Sequence, residues 1–194
     1  CSDDYLWLAY VTGRYVEATA DTTIFDVEVP FLKAGDLRPE EHDRYALFDT
    51  GETGTLLDHC ARALDLMIAT GSHGLPLMGG GDWNDGMNLV GQNGQGESVW
   101  LAFFQFDVLT QFAKLAQRQN DAVTADRLVI EAGRLRGHIE HNGWDGEWYR
   151  RAYFDDGTPL GSSENTECQI DSISQSWSIL SGAGTQERSL QAMA

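Results

Sequence analysis

Residues 79–88, Gly79-Gly80-Gly81-Asp82-Trp83-Asn84-Asp85-Gly86-Met87-Asn88, place two carboxylates, two carboxamides and an indole in one glycine-flanked loop. Glycine lets a backbone turn sharply and come close to a ligand. Carboxylates and carboxamides match the donors and acceptors of a polyhydroxylated molecule, and an indole offers a flat apolar face with one N–H. This mixture suits a sugar better than a nucleotide, a metal or a lipid. Cleaving a glycosidic bond calls for a carboxylic acid kept protonated beside the leaving oxygen, by an apolar wall or a second negative charge. Asp82 and Asp85 both qualify, with Trp83 between them. Three residues apart on a tight loop, one can face the ligand while the other pins the backbone. The same spacing also fits a turn whose side chains bond only their own backbone.

Two further stretches have the composition of a binding surface. Residues 141–151 interleave aromatics with acids and two arginines, Arg150 and Arg151, as the wall of a sugar cleft would. Trp144 and Trp148 suit that wall, and they suit equally the anchoring of loops on a core. Residues 165–171, followed by Gln175 and Trp177, either reach a cavity or form a buried network. Metal chemistry is poorly served. Asp82, Asn84 and Asp85 lack the alternate-residue ligand spacing of a calcium loop, and His59-Cys60 is an isolated pair on an amphipathic stretch, more suited to a core than to a metal. Residues 79–81 are not followed by the Lys-Ser/Thr of a phosphate loop, and no serine or cysteine nucleophile with a histidine partner stands out.

The elements that hold these loops read as helices. The periodicity predicts a first helix capped by Ser2 or Asp3 and running to about 18. A second spans about 53–70, with Leu56, Leu57, Cys60, Leu64, Met67 and Ile68 on one stripe and Gly71 closing it. A third, about 97–119, is apolar nearly all round at its start, the mark of a helix buried on most sides. A fourth covers about 122–140 and a fifth 171–180, and a sixth begins near 185. Third to fourth and fifth to sixth are joined tightly, whereas segments 20–52, 71–96 and 142–169 are long and rich in Gly, Asp, Asn and Trp. Long segments of that kind in a compact domain usually carry function. Tight turns alternating with long loops imply stacked helix hairpins, as in an all-α toroid, with the long loops gathered mostly at one end. No fixed-period repeat supports the alternative, an α-solenoid. Minor β-structure is expected over residues 25–29 and in a hairpin formed by 148–154 with the turn Asp155-Asp156-Gly157.

Composition excludes some functions. The 194 residues carry 13 Lys and Arg against 30 Asp and Glu, a formal net charge of −17. Such a field repels phosphate backbones and anionic membrane surfaces, so neither nucleic acid nor membrane is an expected partner. Cys1, Cys60 and Cys168 are odd in number and widely spaced, as in a reduced, cytosolic protein. No run approaches the length of a membrane span, and no signal peptide is evident. The first residues run directly into an apolar stretch and the last lie inside a helix pattern, so the chain is expected to be a piece of something larger, truncated at both ends.

Residues 81–88, with Gly96-Glu97-Ser98-Val99-Trp100 beyond them, resemble the catalytic loop and following helix of glycoside hydrolase family 94. These are inverting phosphorylases of β-linked glucosides, together with the phosphorylase-like domain of cyclic β-1,2-glucan synthases. Residues 1–8, 29–32, 143–146 and 170–173 fit the same pattern, so the resemblance covers essentially the whole chain, and it looks closest to the β-1,2-glucan branch. It implies an (α/α)6 barrel, of which this chain would supply roughly half. It implies that Asp85 is the general acid and that Trp83 lines the sugar site beside it. Asp82 carries no catalytic role by this transfer and would orient the loop. Candidate sugar contacts are then Trp83, Asp82, Asn84, Trp144 and Gln175. Inorganic phosphate, the co-substrate, would attack the anomeric carbon while Asp85 protonates the leaving oxygen, giving a sugar 1-phosphate of inverted configuration. Phosphate is already anionic, so no protein base and no cofactor are called for. Glu97, Glu147, Glu164 and Glu167 leave an inverting β-glucosidase open, and a carbohydrate-binding or chain-length-controlling module of a glucan synthase is the other alternative. The expected partners are a β-gluco-oligosaccharide, phosphate and the remainder of the same barrel, which would supply the phosphate-binding groups. The compartment would be cytoplasmic, on the inner side of the membrane if the parent is a membrane-bound synthase.

Overall fold

A computed structural model describes residues 1–33, 35 and 49–194. Six helices carry the fold: α1 (Asp4–Thr19), α2 (Leu56–Leu66), α3 (Val99–Arg118), α4 (Ala122–His138), α5 (Ser172–Leu180) and α6 (Gln186–Ala192). The apolar opening of α3 explains its place at the centre: Val99, Trp100, Leu101, Ala102, Phe103 and Phe104 are all buried. On either side of α3 lie α1 and α5, while α2 backs α1, α4 backs α3 and α6 backs α5. The result is a row of three helices, each with a partner behind it. One core runs through the row, from Leu6 and Ala9 through α3 to Leu128, Leu135 and Ile139.

Short polar side chains start most of these helices. Thr55 and Asp58 form a reciprocal capping box on α2, Ser98 caps α3, Asp121 caps α4, Asp171 caps α5 and Thr185 caps α6. Each satisfies an N–H that the first turn leaves without a helical partner. At α1, Asp3 holds the cap position without capping, because its carboxylate accepts the indole N–H of Trp7 at 2.7 Å.

Several boundaries differ from expectation. Helix α2 stops at Leu66, short of Gly71, with Met67 and Ile68 in tighter turns bonded to Leu64 and Asp65; the carbonyl of Met67 is taken by the buried Gln105 amide of α3 at 2.8 Å. Glu97 and Ser98 are not helical but form strand β3. Phe25 lies in a 3₁₀ turn, Thr23–Asp26, and the strand begins afterwards, β1 spanning Glu28–Lys33 through Pro30. Antiparallel to it runs β2 (Asp49–Thr55), and this ribbon packs on α2. The rest of the expected long segment 20–52, residues 34 and 36–48, lies outside the described residues. Helix α4 ends at His138 and continues as a π turn, Ile139–Gly143.

The hairpin near residue 155 forms, its strands being β4 (Ala152–Tyr153) and β5 (Pro159–Leu160). β3 joins its free edge, in the order β3-β4-β5. This small sheet ties segment 71–98 to segment 142–169, so two of the three long segments are knitted together over α3. Among the described residues, no helix is long and apolar enough to cross a membrane.

Candidate functional site

The two aspartates of the glycine-flanked loop have opposite surroundings. Asp82 is fully buried. Its carboxylate meets the guanidinium of Arg151, Nη1 to Oδ2 at 2.7 Å and Nη2 to Oδ1 at 2.5 Å, and accepts the Ser98 hydroxyl at 2.6 Å. The forked pairing gives direction as well as attraction. Arg151 is itself buried, and its Nε lies 3.3 Å from Asp171, the cap of α5. One ion-paired network therefore joins the loop, the start of α3, the β4 strand and the start of α5.

Beyond Asp82 the chain turns outward. The N–H of Asn84 donates to Asp82 Oδ1 at 3.2 Å, and Asn84 Oδ1 in turn accepts from Gly86, opening a 3₁₀ turn over Asp85–Met87. Gly81 holds a φ of +136°, where any Cβ would also press on the Asn84 carbonyl at 3.3 Å. A side chain there would strain the loop. Trp83, 62 % exposed, and Asp85 emerge together at the surface.

The first residues of the chain clamp this loop. Ser2 donates both its N–H (2.9 Å) and its hydroxyl (3.1 Å) to the Gly81 carbonyl. The Cys1 thiol donates to Asp85 Oδ1 at 2.8 Å. Trp7 lies 6.2 Å from Trp83, ring to ring, and continues inward to Phe104 at 4.6 Å and Trp177 beyond it. Trp83 is thus the exposed end of an aromatic row that reaches the core.

On the far side of the loop, Asp155 accepts the N–H groups of Asn93, Gln95 and Gly96 at 2.8–2.9 Å. Those bonds, led by that of Asn93, hold its carboxyl below the usual carboxylate range. Glu97 is buried and accepts from the N–H of His73, the N–H of Leu75 and the His73 ring. His73 stacks on Tyr153, and its carbonyl accepts the amide of Asn142. Glu97 is thus committed to the 71–75 turn. Glu147, Glu164 and Glu167 are exposed.

The remaining candidates gather elsewhere, around Tyr149. Gln175 is buried, receives the Tyr149 N–H and donates to the Tyr149 and Asp171 carbonyls. Trp144 packs edge-on against Tyr149 and under Arg188. Trp148 donates to the carbonyls of Gly161 and Gln169, which makes it an anchor for the 161–169 segment. Asp145 pays a desolvation cost, but the Ser162 hydroxyl, the Ser163 N–H and Arg150 outweigh it and hold its carboxyl below the usual range. Arg151, expected in a cleft wall, is instead buried against Asp82, and Ser98 completes that network. No alternation marks this stretch, since Arg151, Ala152 and Tyr153 are all buried in succession.

Paired helices that present an exposed carboxyl and an exposed indole on one braced loop make this a helical domain with a candidate site. The chain belongs to the glycosyl hydrolase 94 superfamily, whose catalytic-domain model matches residues 1–194. It is 48 % identical over 194 residues to the cyclic beta-(1,2)-glucan synthase NdvB of Rhizobium meliloti (strain 1021), covering 99 % of this chain and 7 % of that protein. It is 33 % identical to the solabiose phosphorylase of Paenibacillus borealis, over 99 % of this chain and 23 % of that one. To the N,N'-diacetylchitobiose phosphorylase of Vibrio furnissii it is 32 % identical, over 100 % of this chain and 22 % of the relative. The chain therefore spans less than a quarter of the length of each of these relatives.

Proposed function

We infer that this chain is the acid-bearing segment of an inverting phosphorylase that cleaves β-linked glucosides, of the β-1,2-glucan type, with inorganic phosphate. The observation that carries this reading is the division of labour in the loop: Asp82 is locked into Arg151 and Ser98, while Asp85 is delivered to the surface beside Trp83. Asp85 is the proton donor, and Trp83 is the wall on which a glucose ring stacks. Phosphate oxygen bonds to the anomeric carbon from the opposite face as the glycosidic bond breaks, and the Asp85 proton goes to the leaving oxygen. The product is α-glucose 1-phosphate. An inverting hydrolase needs a second carboxylate to activate water; Glu97 is committed to His73 and Leu75, whereas Glu147, Glu164 and Glu167 are exposed, so dependence on phosphate is the deciding measurement. No cofactor enters this scheme.

The row α1, α3, α5 with its backing helices is compatible with half of an (α/α)6 barrel, the remaining half being the proposed partner. That half brings the groups that hold phosphate. The likeness to the glucan synthase favours the β-1,2 linkage, and a cytoplasmic location is proposed with it.

The test uses the full-length parent with β-1,2- and β-1,4-gluco-oligosaccharides, with and without phosphate. Phosphate-dependent release of glucose 1-phosphate from the β-1,2 series is expected. Equal cleavage without phosphate makes the protein a hydrolase, and binding without cleavage makes it a carbohydrate-binding module. Asp85→Asn should abolish turnover of the oligosaccharide while calorimetry still detects its binding.

A further inference from the structure

We propose that Cys1 is a positioning residue for the proton transfer, its thiol fixing which oxygen of Asp85 carries the acid proton. The proposal rests on Asp85 being the acid. The contact is built from several sides. Ser2 is bonded twice to the Gly81 carbonyl, immediately before Asp82, and Trp7 packs against Trp83. Chain segment and loop are therefore registered against each other independently of the thiol. Within that register Cys1 Sγ reaches Asp85 Oδ1 at 2.8 Å, while Oδ2 has no protein partner among the described residues.

An S–H donates to an unprotonated oxygen. Oδ1 is thereby held as the acceptor, and the carboxyl proton is left to Oδ2. As that proton moves to the leaving oxygen, the glycosidic bond breaks, and phosphate bonds to the anomeric carbon. Asp85 is left as a carboxylate whose Oδ1 still accepts the thiol. The thiol keeps its own proton throughout, so it needs no redox partner and forms no bond to the sugar. Hydrogen bonds to a charged acceptor are stronger than those to a neutral one, so the contact strengthens as the reaction proceeds. Such a contact accelerates the chemical step more than substrate binding.

The test compares Cys1→Ala and Cys1→Ser in the full-length parent, with Asp85→Asn alongside. On a β-gluco-oligosaccharide, Cys1→Ala should lower kcat about tenfold with KM little changed, and Cys1→Ser, which restores a donor, should recover most of that loss. On an aryl β-glucoside whose leaving group departs without protonation, Cys1→Ala should lose less than about twofold. An equal loss on both substrates would make Cys1 a packing residue and overturn the proposal, as would full kcat for Cys1→Ala on the oligosaccharide. Oligosaccharide turnover by Asp85→Asn would instead remove the acid assignment, and the role of Cys1 with it.

Discussion

Asp82 and Asp85 carry the same carboxyl three residues apart, and solvent separates them. The first is sealed against Arg151, which makes it a brace, and the second is exposed, two residues beyond the exposed Trp83. Removing one partner of a buried ion pair leaves an uncompensated charge, typically costing about 3–5 kcal/mol. Asp82→Asn and Arg151→Met should each lower the unfolding free energy obtained from chemical denaturation by an amount of that order. The double variant should lose less than the sum of the two, because the partners share one network. The loop itself was legible in the sequence, since its glycines, carboxyls and indole are consecutive. Its brace was not, because Arg151 is 69 positions from Asp82 and lies among residues that also suit an open cleft wall. Gln175 shows the converse. It has the chemistry of a sugar contact, but both ends of its amide are spent on backbone groups of Tyr149 and Asp171.

Among elements, helices whose apolar stripe meets a neighbour were read nearly to the residue, and the departures came where a partner distant in sequence takes a backbone group. Helix α2 ends early where Gln105 of α3 takes the Met67 carbonyl, and α3 starts late because Glu97 and Ser98 pair with Tyr153 and Ala152. The contact of α1 with α2 also fixes Cys60, whose thiol lies 3.8 Å from the Thr12 hydroxyl. Burial pushes that thiol up to about 11 from an ordinary value of 9.0. A group whose proton is held more tightly in the folded state stabilises it fully below the ordinary value, and loses that contribution as pH rises towards the folded one. Denaturant midpoints should therefore fall between pH 9 and about 11, and fall less in Cys60→Ala. In a thiol titration, the exposed Cys1 and Cys168 should react in the native state and Cys60 only after unfolding.

The whole molecule has two kinds of surface. One is acidic and well solvated, as a net charge of −17 requires. The other is apolar: Tyr5, Leu8, Val11 and Tyr15 line one flank of α1, and Ile179, Leu180, Leu190 and Met193 lie open on α5 and α6 at the opposite end of the row. Stripes of this kind mark contact surfaces. The 194 residues expressed alone should self-associate and bind a hydrophobic dye; size-exclusion chromatography and dye fluorescence check this. The layering into hairpins was legible from the alternation of tight turns and long loops, but which helix stands in front followed only from packing around α3. The clamp between the first residues and the loop carries a kinetic consequence. Cys1 and Asp85 are separated by 84 positions, and Asp82 and Arg151 by 69. Contacts so distant form only after much chain entropy has been surrendered, which places them late in folding. A nascent or half-folded chain can hold its helices and still lack the clamp on the 81–85 loop, so the placement of Asp85 becomes a property of the finished fold alone.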